Sequence, residues 1–242
     1  VLPAWIPGYN YTLLFWESKL GKSILAAQIS QALELGPGHP VIGIDTPVQI
    51  PVLYVQAEQP APEWHEELAR IMPVARFSIT TPRNGWADSE GWRQAIKTAA
   101  AECRAGFVWF DSADAATVEL NIGHKGECQR LLARLKHAAN GQPFGLIHHP
   151  RRLAPGEKRQ VGSYNARDRY AGSRYLYSQA SSIIMLEVES QEPTGQAIVS
   201  NRATLETVYE LDRDELGRWV RPSPRLAGRP PTGRSVIAGF PE

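Results

Sequence analysis

The chain has 242 residues, of which 43% are hydrophobic and 21% charged, and its formal net charge is +1. This composition is ordinary for a soluble globular protein and excludes collagen-like, mucin-like and fully disordered chains. Because Cys103 and Cys128 cannot build a disulfide framework and no apolar run reaches the ~20 residues of a membrane helix, we expect a cytoplasmic protein with no membrane partner.

Apolar runs alternate with segments of helical periodicity through most of the chain. Residues 12–16 predict a buried strand, and residues 23–35 place apolar side chains at helical spacing before Gly36 ends the helix. Further strands are predicted at residues 52–57, 107–110, 144–147 and 183–187. Further helices are predicted at residues 63–72, 90–104 and 127–139.

This alternation predicts an α/β fold with a mostly parallel sheet flanked by helices, and ligands bound at the carboxyl ends of the strands. From residue 197 the pattern changes to short strands at residues 197–200, 207–211 and 218–220, which predict a β-rich, antiparallel C-terminal extension. We therefore expect one domain over residues 1–221, followed by a flexible Pro/Arg-rich tail over residues 222–242.

The first predicted strand runs through Glu-Ser-Lys-Leu-Gly-Lys-Ser into the first helix, which is the context of a phosphate-binding loop. In such a loop backbone N–H groups point at the phosphates, Lys22 would neutralise the γ-phosphate and the Ser23 hydroxyl would ligate Mg²⁺. The motif normally begins with glycine, where this chain has Trp16. The alternative is a turn before a surface lysine, yet a cation at a helix N-terminus is unfavourable without an anion nearby. The predicted nucleotide-binding residues of this segment are Leu20, Gly21, Lys22, Ser23 and Ile24.

Acidic and imidazole side chains follow the later predicted strands. Glu58 follows the second strand, where a carboxylate could polarise the attacking water, unless it only begins the next helix. Asp111 ends the run Phe-Val-Trp-Phe, as does a Walker B aspartate that holds Mg²⁺, and Asp114 is the second candidate. His148 and His149 end the fourth strand, where one of them could report the state of the γ-phosphate. A structural pair and a metal site are the alternatives for these histidines, although the other His and Cys residues show no metal-ligand spacing.

A basic segment with interleaved tyrosines and glycines follows the histidines, over residues 151–174. Arginine beside tyrosine suits single-stranded nucleic acid, because the charges follow the backbone and the rings stack on bases. The alternative is a solvated loop without a ligand. The residues predicted to bind nucleic acid are Arg151, Arg152, Lys158, Arg159, Arg167 and Arg169.

The order of these motifs resembles that of the RecA/DnaB-type P-loop ATPases, from LLFWESKLGKSILAAQIS through VLYVQAEQP, FVWFDSADA and GLIHHPRR to RYAGSRYLYSQASSIIMLE. Within them the chain is most similar to the RepA-like hexameric helicases of plasmid and phage replication. The resemblance covers residues 13–220. It implies a RecA-like core that hydrolyses ATP with Mg²⁺ at the subunit interfaces of a ring, usually hexameric, which grips single-stranded DNA or RNA.

The resemblance also implies roles for individual residues. The positions that match the family's P-loop, catalytic glutamate, Walker B aspartate and sensor are, in that order, Lys22 with Ser23, Glu58, Asp111, and His149 with His148 beside it. Arg202 matches the second basic residue of a Lys-x-Arg motif that reaches the neighbouring subunit's site, although Ser200 replaces the lysine.

Three functions are compatible with these patterns. The first is a DNA-stimulated ATPase that acts as a replicative helicase. The second is an ATP-binding assembly or recombination-mediator protein that hydrolyses weakly because of Trp16. The third is a recombinase-like filament. Stimulation of turnover by DNA separates the first from the second, and closed rings against filaments separate the first from the third.

Overall fold

The computed structural model describes residues 10–15, 21–40, 46–72, 77–149, 174–188, 194–201 and 207–221. The strands are β1 (Tyr11–Phe15), β2 (Val52–Gln56), β3 (Ser78–Thr80), β4 (Phe107–Asp111), β5 (Phe144–His148), β6 (Ser182–Val188), β7 (Thr194–Asn201), β8 (Thr207–Arg213) and β9 (Trp219–Val220). The helices are α1 (Lys22–Leu35), α2 (Ala61–Ile71), α3 (Glu90–Glu102), α4 (Ala113–Ala116), α5 (Lys125–Ala138) and α6 (Arg174–Gln179), with a 3₁₀ turn at Trp86–Asp88.

The strands of the described part of the chain form one nine-stranded sheet in the order β3-β2-β4-β5-β1-β6-β7-β8-β9. The first six strands in this order run parallel to one another. Strands β7, β8 and β9 continue the sheet with antiparallel pairing. This architecture confirms the predicted α/β fold with a β-rich C-terminal extension.

Three short elements, β3, α4 and α6, were not predicted. Strand β3 has 3 residues and α4 has 4, which is too few for a hydrophobic period to be recognised. The helix predicted at residues 63–72 begins earlier because Pro60 precedes α2 and Pro62 lies in its first turn, where a missing N–H breaks no helical bond. The predicted tail lies outside the described residues, so the domain boundary stays a prediction. Among the described helices, none combines the length and the apolar character needed to cross a bilayer.

The core covers both faces of the central parallel strands, since β1, β2, β4 and β5 are buried along their whole length. A strand buried on both faces has a nearly continuous apolar sequence, which explains why all four were predicted. Gly145 of β5 pairs with Trp109 of β4. A Cβ at Gly145 would lie 2.1 Å from the Trp109 ring, so the ring fills the space beside the glycine. This packing fixes the two strands whose carboxyl ends carry candidate site residues.

Candidate functional site

Four neighbouring parallel strands bring predicted residues to one edge of the sheet. Strands β2, β4, β5 and β1 lie side by side. Asp111 is the last residue of β4 and His148 the last of β5. Glu58 follows β2, and Lys22 opens α1, the helix that follows β1. Because ligands of open parallel sheets bind at the carboxyl ends of the strands, this edge is the candidate site.

The N-terminus of α1 is suited to an anion. Gly21 precedes the helix with φ 85° and ψ 22°, a left-handed conformation that glycine adopts without strain. Among the described residues no side chain caps this end, and the first turn contains no acidic residue. The N–H groups of the first turn and the helix dipole therefore favour a bound phosphate. Lys22 is only 4% exposed, so its side chain is held inside the site rather than in solvent.

A chain of hydrogen bonds links three of the predicted residues. Lys22 Nζ lies 3.1 Å from His149 Nδ1, and His149 Nε2 lies 3.2 Å from Glu58 Oε2. Because an ammonium group can only donate, Nδ1 accepts from Lys22 and Nε2 carries the proton donated to Glu58. The hydrogen bond with His149 lowers the pKa of Glu58 below its ordinary value, against the opposing effect of burial. Glu58 is therefore an ionised carboxylate at neutral pH, able to accept a proton.

Asp111 is a buried carboxylate with one oxygen engaged. The Tyr54 hydroxyl and the Gln56 side-chain amide donate to Asp111 Oδ2 over 2.9 and 3.1 Å. The other oxygen, Oδ1, is buried with no hydrogen-bond partner among the described residues. Burial raises the pKa of Asp111 to about 6, although the hydroxyl of Ser23 acts in the opposite direction. A cation beside Oδ1 would supply the partner that this oxygen lacks.

Gln56 connects Asp111 to the segment that presents Glu58. Its side-chain oxygen accepts hydrogen bonds from the backbone N–H groups of Glu58 and Gln59 over 2.7 and 3.3 Å. Its amide nitrogen donates to Asp111, with which it is paired across the β2–β4 ladder. The two carboxylates of the site are thus positioned by one side chain.

A comparison with protein families identifies the family to which this chain belongs. A family model described as an AAA domain matches residues 1–154, which is more than half of the chain. The chain belongs to the AAA domain family. The matched range contains Lys22, Glu58, Asp111 and His149, so the candidate site lies in the domain of a P-loop ATPase. A comparison with curated proteins gives no match.

The fold of the chain resembles solved structures. One is a KaiC-like protein from the hyperthermophilic archaeon Pyrococcus horikoshii, which matches with a TM-score of 0.58 and 15% sequence identity. The match covers 90% of this chain and 91% of that chain. At this identity the likeness concerns the fold: the mostly parallel sheet, its flanking helices and the antiparallel C-terminal strands.

The AAA domain offers a donor set that fits Mg²⁺. This ion prefers oxygen ligands and is commonly held by one or two protein groups, with substrate phosphates and water completing the shell. Asp111 has a buried Oδ1 in need of a partner, and the Ser23 hydroxyl lies close enough to the same carboxyl group to lower its pKa. Ser23 and Asp111, the two residues predicted from sequence, are therefore the groups that would hold the ion.

The two histidines at the end of β5 have different surroundings in the AAA domain. His148 is 1% exposed, and its Nδ1 lies 3.4 Å from Asp114 Oδ2. His149 is the one in contact with Lys22 and Glu58. Within the described ranges no group of three or more His, Cys, Asp or Glu residues could hold a metal ion, so the metal alternative for the histidines finds no ligand set there.

Two residues of the site, Tyr54 and Gln56, were not predicted. Both belong to the run Val-Leu-Tyr-Val-Gln and share one face of β2, since side chains alternate along a strand. The signal that could have found them is the glutamine at the end of a buried strand, because a buried amide needs hydrogen-bond partners.

Several predicted residues lie outside the described part of the chain, and their roles stay predictions. They are Leu20, Arg202 and the nucleic-acid-binding candidates Arg151, Arg152, Lys158, Arg159, Arg167 and Arg169. Trp16, which replaces the first glycine of the phosphate loop, also lies outside it.

Proposed function

We propose that this protein is a ring-forming motor of plasmid- or phage-type replication, which hydrolyses ATP with Mg²⁺ and is stimulated by single-stranded DNA. The observation that carries the hydrolytic part is the hydrogen-bonded chain from Lys22 through His149 to Glu58, beside the buried carboxyl group of Asp111. The helicase part is supported by the basic segment and by the resemblance to ring helicases.

Each residue of the candidate site has its own role in the proposed reaction. Lys22 contributes a fixed positive charge to the γ-phosphate, where negative charge develops during transfer. Glu58 accepts the proton of the attacking water, since His149 keeps it ionised. Ser23 and Asp111 would hold Mg²⁺, which would supply positive charge to the phosphate groups of the nucleotide.

In this proposal His149 reports whether the γ-phosphate is present. Its two ring nitrogens contact Lys22 and Glu58. A γ-phosphate competes for the Lys22 ammonium, because a charged oxygen is a stronger acceptor than a neutral imidazole nitrogen. Loss of the contact with Lys22 frees His149 to change its orientation toward Glu58 and the phosphate.

The position of the basic segment supports coupling between DNA binding and hydrolysis. Arg151 and Arg152 follow His149 in the sequence after a single proline. A change at His149 on nucleotide binding or hydrolysis therefore acts on the first residues of the segment proposed to grip DNA. Charge along this segment would follow the phosphate backbone, and its tyrosines would stack on bases.

The test is ATP turnover by the purified chain with and without single-stranded DNA, compared with Lys22→Ala. We expect DNA to raise turnover severalfold and Lys22→Ala to lower it by about 100-fold or more, because transition-state charge loses its fixed counter-charge. The matched control is Lys136→Ala, the same change at an exposed position of α5, which should leave turnover unchanged.

The outcomes separate the functions. If DNA does not change turnover, the result would contradict the DNA-stimulated motor and favour the ATP-binding assembly or recombination-mediator protein. Equal turnover by wild type and Lys22→Ala would overturn the phosphate site itself. Filaments instead of closed rings in negative-stain images would favour the recombinase-like alternative.

A further inference from the structure

The hairpin formed by β8 and β9 is fastened to the N-terminal half of α1. Trp219 Nε1 donates to the carbonyl oxygen of Gly21 over 3.1 Å. The Gln28 side chain of α1 makes two bonds to the backbone of Trp219: its amide donates to the carbonyl over 2.8 Å, and its oxygen accepts from the N–H over 2.9 Å. The C-terminal extension thus ends directly beside the glycine that precedes Lys22.

Arg213 is the cation that this hairpin brings to Gly21. It is the cross-strand partner of Trp219, and its guanidinium carbon lies 4.5 Å from the centroid of the Trp219 ring. Its Nη2 lies 2.7 Å from the point that a Cβ on Gly21 would occupy. Glycine at this position therefore permits the close approach of the guanidinium to the backbone of the phosphate site.

The surroundings of Arg213 leave part of its charge unsatisfied. Its Nε is buried with no hydrogen-bond partner among the described residues. Burial lowers the pKa of Arg213, while the negative charge of Glu67 acts in the opposite direction. A partly desolvated guanidinium is costly unless an anion contacts it.

Two basic residues and the positive end of a helix adjoin Gly21. Lys22 lies at the start of α1, Arg213 approaches Gly21, and the first turn of the helix contains no acidic residue. Such an arrangement favours a polyanion over water or a single carboxylate. A guanidinium also matches the geometry of phosphate oxygens, which accept two parallel hydrogen bonds.

We propose that Arg213 is a further nucleotide-binding residue, which contacts the phosphate groups of the nucleotide held at the N-terminus of α1. This inference rests on the proposed ATPase function and adds to it a cation from the C-terminal extension of the same subunit. The competing role is packing alone, in which Arg213 only covers Trp219.

The test is calorimetric titration of the full chain with Mg²⁺-ADP, comparing wild type, Arg213→Met and Arg213→Lys. Methionine keeps an apolar stem over Trp219 without the charge, and lysine keeps the charge. We expect Arg213→Met to weaken ADP binding by about tenfold and Arg213→Lys to restore most of it. The control is Arg221→Ala, which removes an exposed arginine directly after β9 and should not change the affinity.

The possible results distinguish failure of the Arg213 inference from failure of the proposed function. If the Arg213→Met protein binds ADP as tightly as wild type, the inference is overturned and the ATPase function is unaffected. Equal weakening by Arg213→Met and Arg213→Lys overturns it as well, because the charge then has no part in binding. Wild-type protein that binds no ADP overturns the proposed function, and this inference with it, before any variant is compared.

Discussion

At the scale of single residues, the buried carboxyl group of Asp111 lowers the stability of the folded protein at neutral pH. Burial raises its pKa to about 6, whereas an aspartate in the unfolded chain titrates near pH ~3.9. The folded protein therefore binds this proton more tightly than the unfolded chain does. The contribution of Asp111 to the free energy of unfolding is present in full below about pH 4 and is lost as the pH rises through about 6.

We expect Asp111→Asn to raise the melting temperature of the metal-free protein at about pH 8 and to change it little at about pH 4. The shift of the pKa from 3.8 to about 6 sets an upper bound of about 3 kcal/mol on the gain. The same variant should lose Mg²⁺-dependent turnover, since the carboxylate that would hold the ion is gone. Thermal melts in EDTA across this pH range measure the first effect and turnover assays the second.

Asp114→Asn is the control for the sign of this effect. Burial alone would raise the pKa of Asp114, but the hydrogen bond and charge of His148 bring it below its ordinary value. Neutralising Asp114 should therefore lower the melting temperature at neutral pH. A lower melting temperature for Asp111→Asn at about pH 8 would show that its carboxylate is stabilised in the folded protein, against the account given above.

The His149–Glu58 bond gives a second prediction at the scale of residues. Removing the imidazole in His149→Ala takes away the main cause that lowers the pKa of Glu58. We expect turnover to fall and the acid limb of the kcat–pH profile to move to higher pH, because Glu58 must be ionised to accept a proton. His137→Ala, an exposed histidine of α5, is the control. An unchanged acid limb in His149→Ala would mean that Glu58 is not the base.

At the scale of elements, the contact between β4 and β5 depends on the absence of a side chain at Gly145. A Cβ there would lie 2.1 Å from the Trp109 ring. We expect Gly145→Ala to lower the free energy of unfolding by roughly 1–3 kcal/mol, as overpacking of a core usually does. Urea unfolding measures the change.

Gly126 of α5 is the matched control for Gly145, since nothing lies within 4 Å of a Cβ built on it. Gly126→Ala should leave the stability unchanged or raise it slightly, because alanine favours a helix. If Gly145→Ala proved as stable as wild type, Trp109 could move aside, and the register of β4 and β5 would have another cause.

The same strands show how far the sequence predicts the fold. Strands that are buried on both faces are recognisable in the sequence as apolar runs. The residues at their carboxyl ends share one edge of the sheet, because parallel strands end on the same side. The sequence alone therefore predicts that Lys22, Glu58, Asp111 and His149 lie near one another. This prediction requires only the order of the strands along the chain and the residue that ends each strand.

What the sequence could not predict depends on pairing between distant segments. Gln56 acquires its role from the register that sets it opposite Asp111, 55 positions along the chain. The bond from Trp219 to Gly21 joins residues 198 positions apart. No spacing in the sequence connects such distant positions. The roles of Gln56, Tyr54 and the Arg213–Trp219 pair can therefore be recognised only from the folded sheet.

At the scale of the whole molecule, the position of Asn201 bears on the proposed role of Arg202, the next residue in the sequence. Asn201 ends β7 and pairs with Ser182, the first residue of β6, which lies level with Thr12 near the start of β1. This is the edge opposite to the carboxyl ends of the parallel strands. From the rise per residue of a strand, Asn201 lies on the order of 10 Å, measured along the strands, from the level at which β1 ends. This position of Asn201 supports the proposal that Arg202 acts on the site of a neighbouring subunit.

Mixing two inactive variants tests this shared site. Lys22→Ala subunits lack the phosphate-binding lysine but keep Arg202, and Arg202→Ala subunits have the reverse defect. If Arg202 acts on the neighbour, random mixed rings in equal parts should regain activity at about a quarter of their interfaces, because each such interface joins an intact Lys22 to an intact Arg202. The control mixes Lys22→Ala with the double variant, in which no interface is intact. Mixed rings that stay inactive, with subunit exchange demonstrated by light scattering and labelled protein, would place Arg202 outside the hydrolytic site and remove the need for a ring in catalysis.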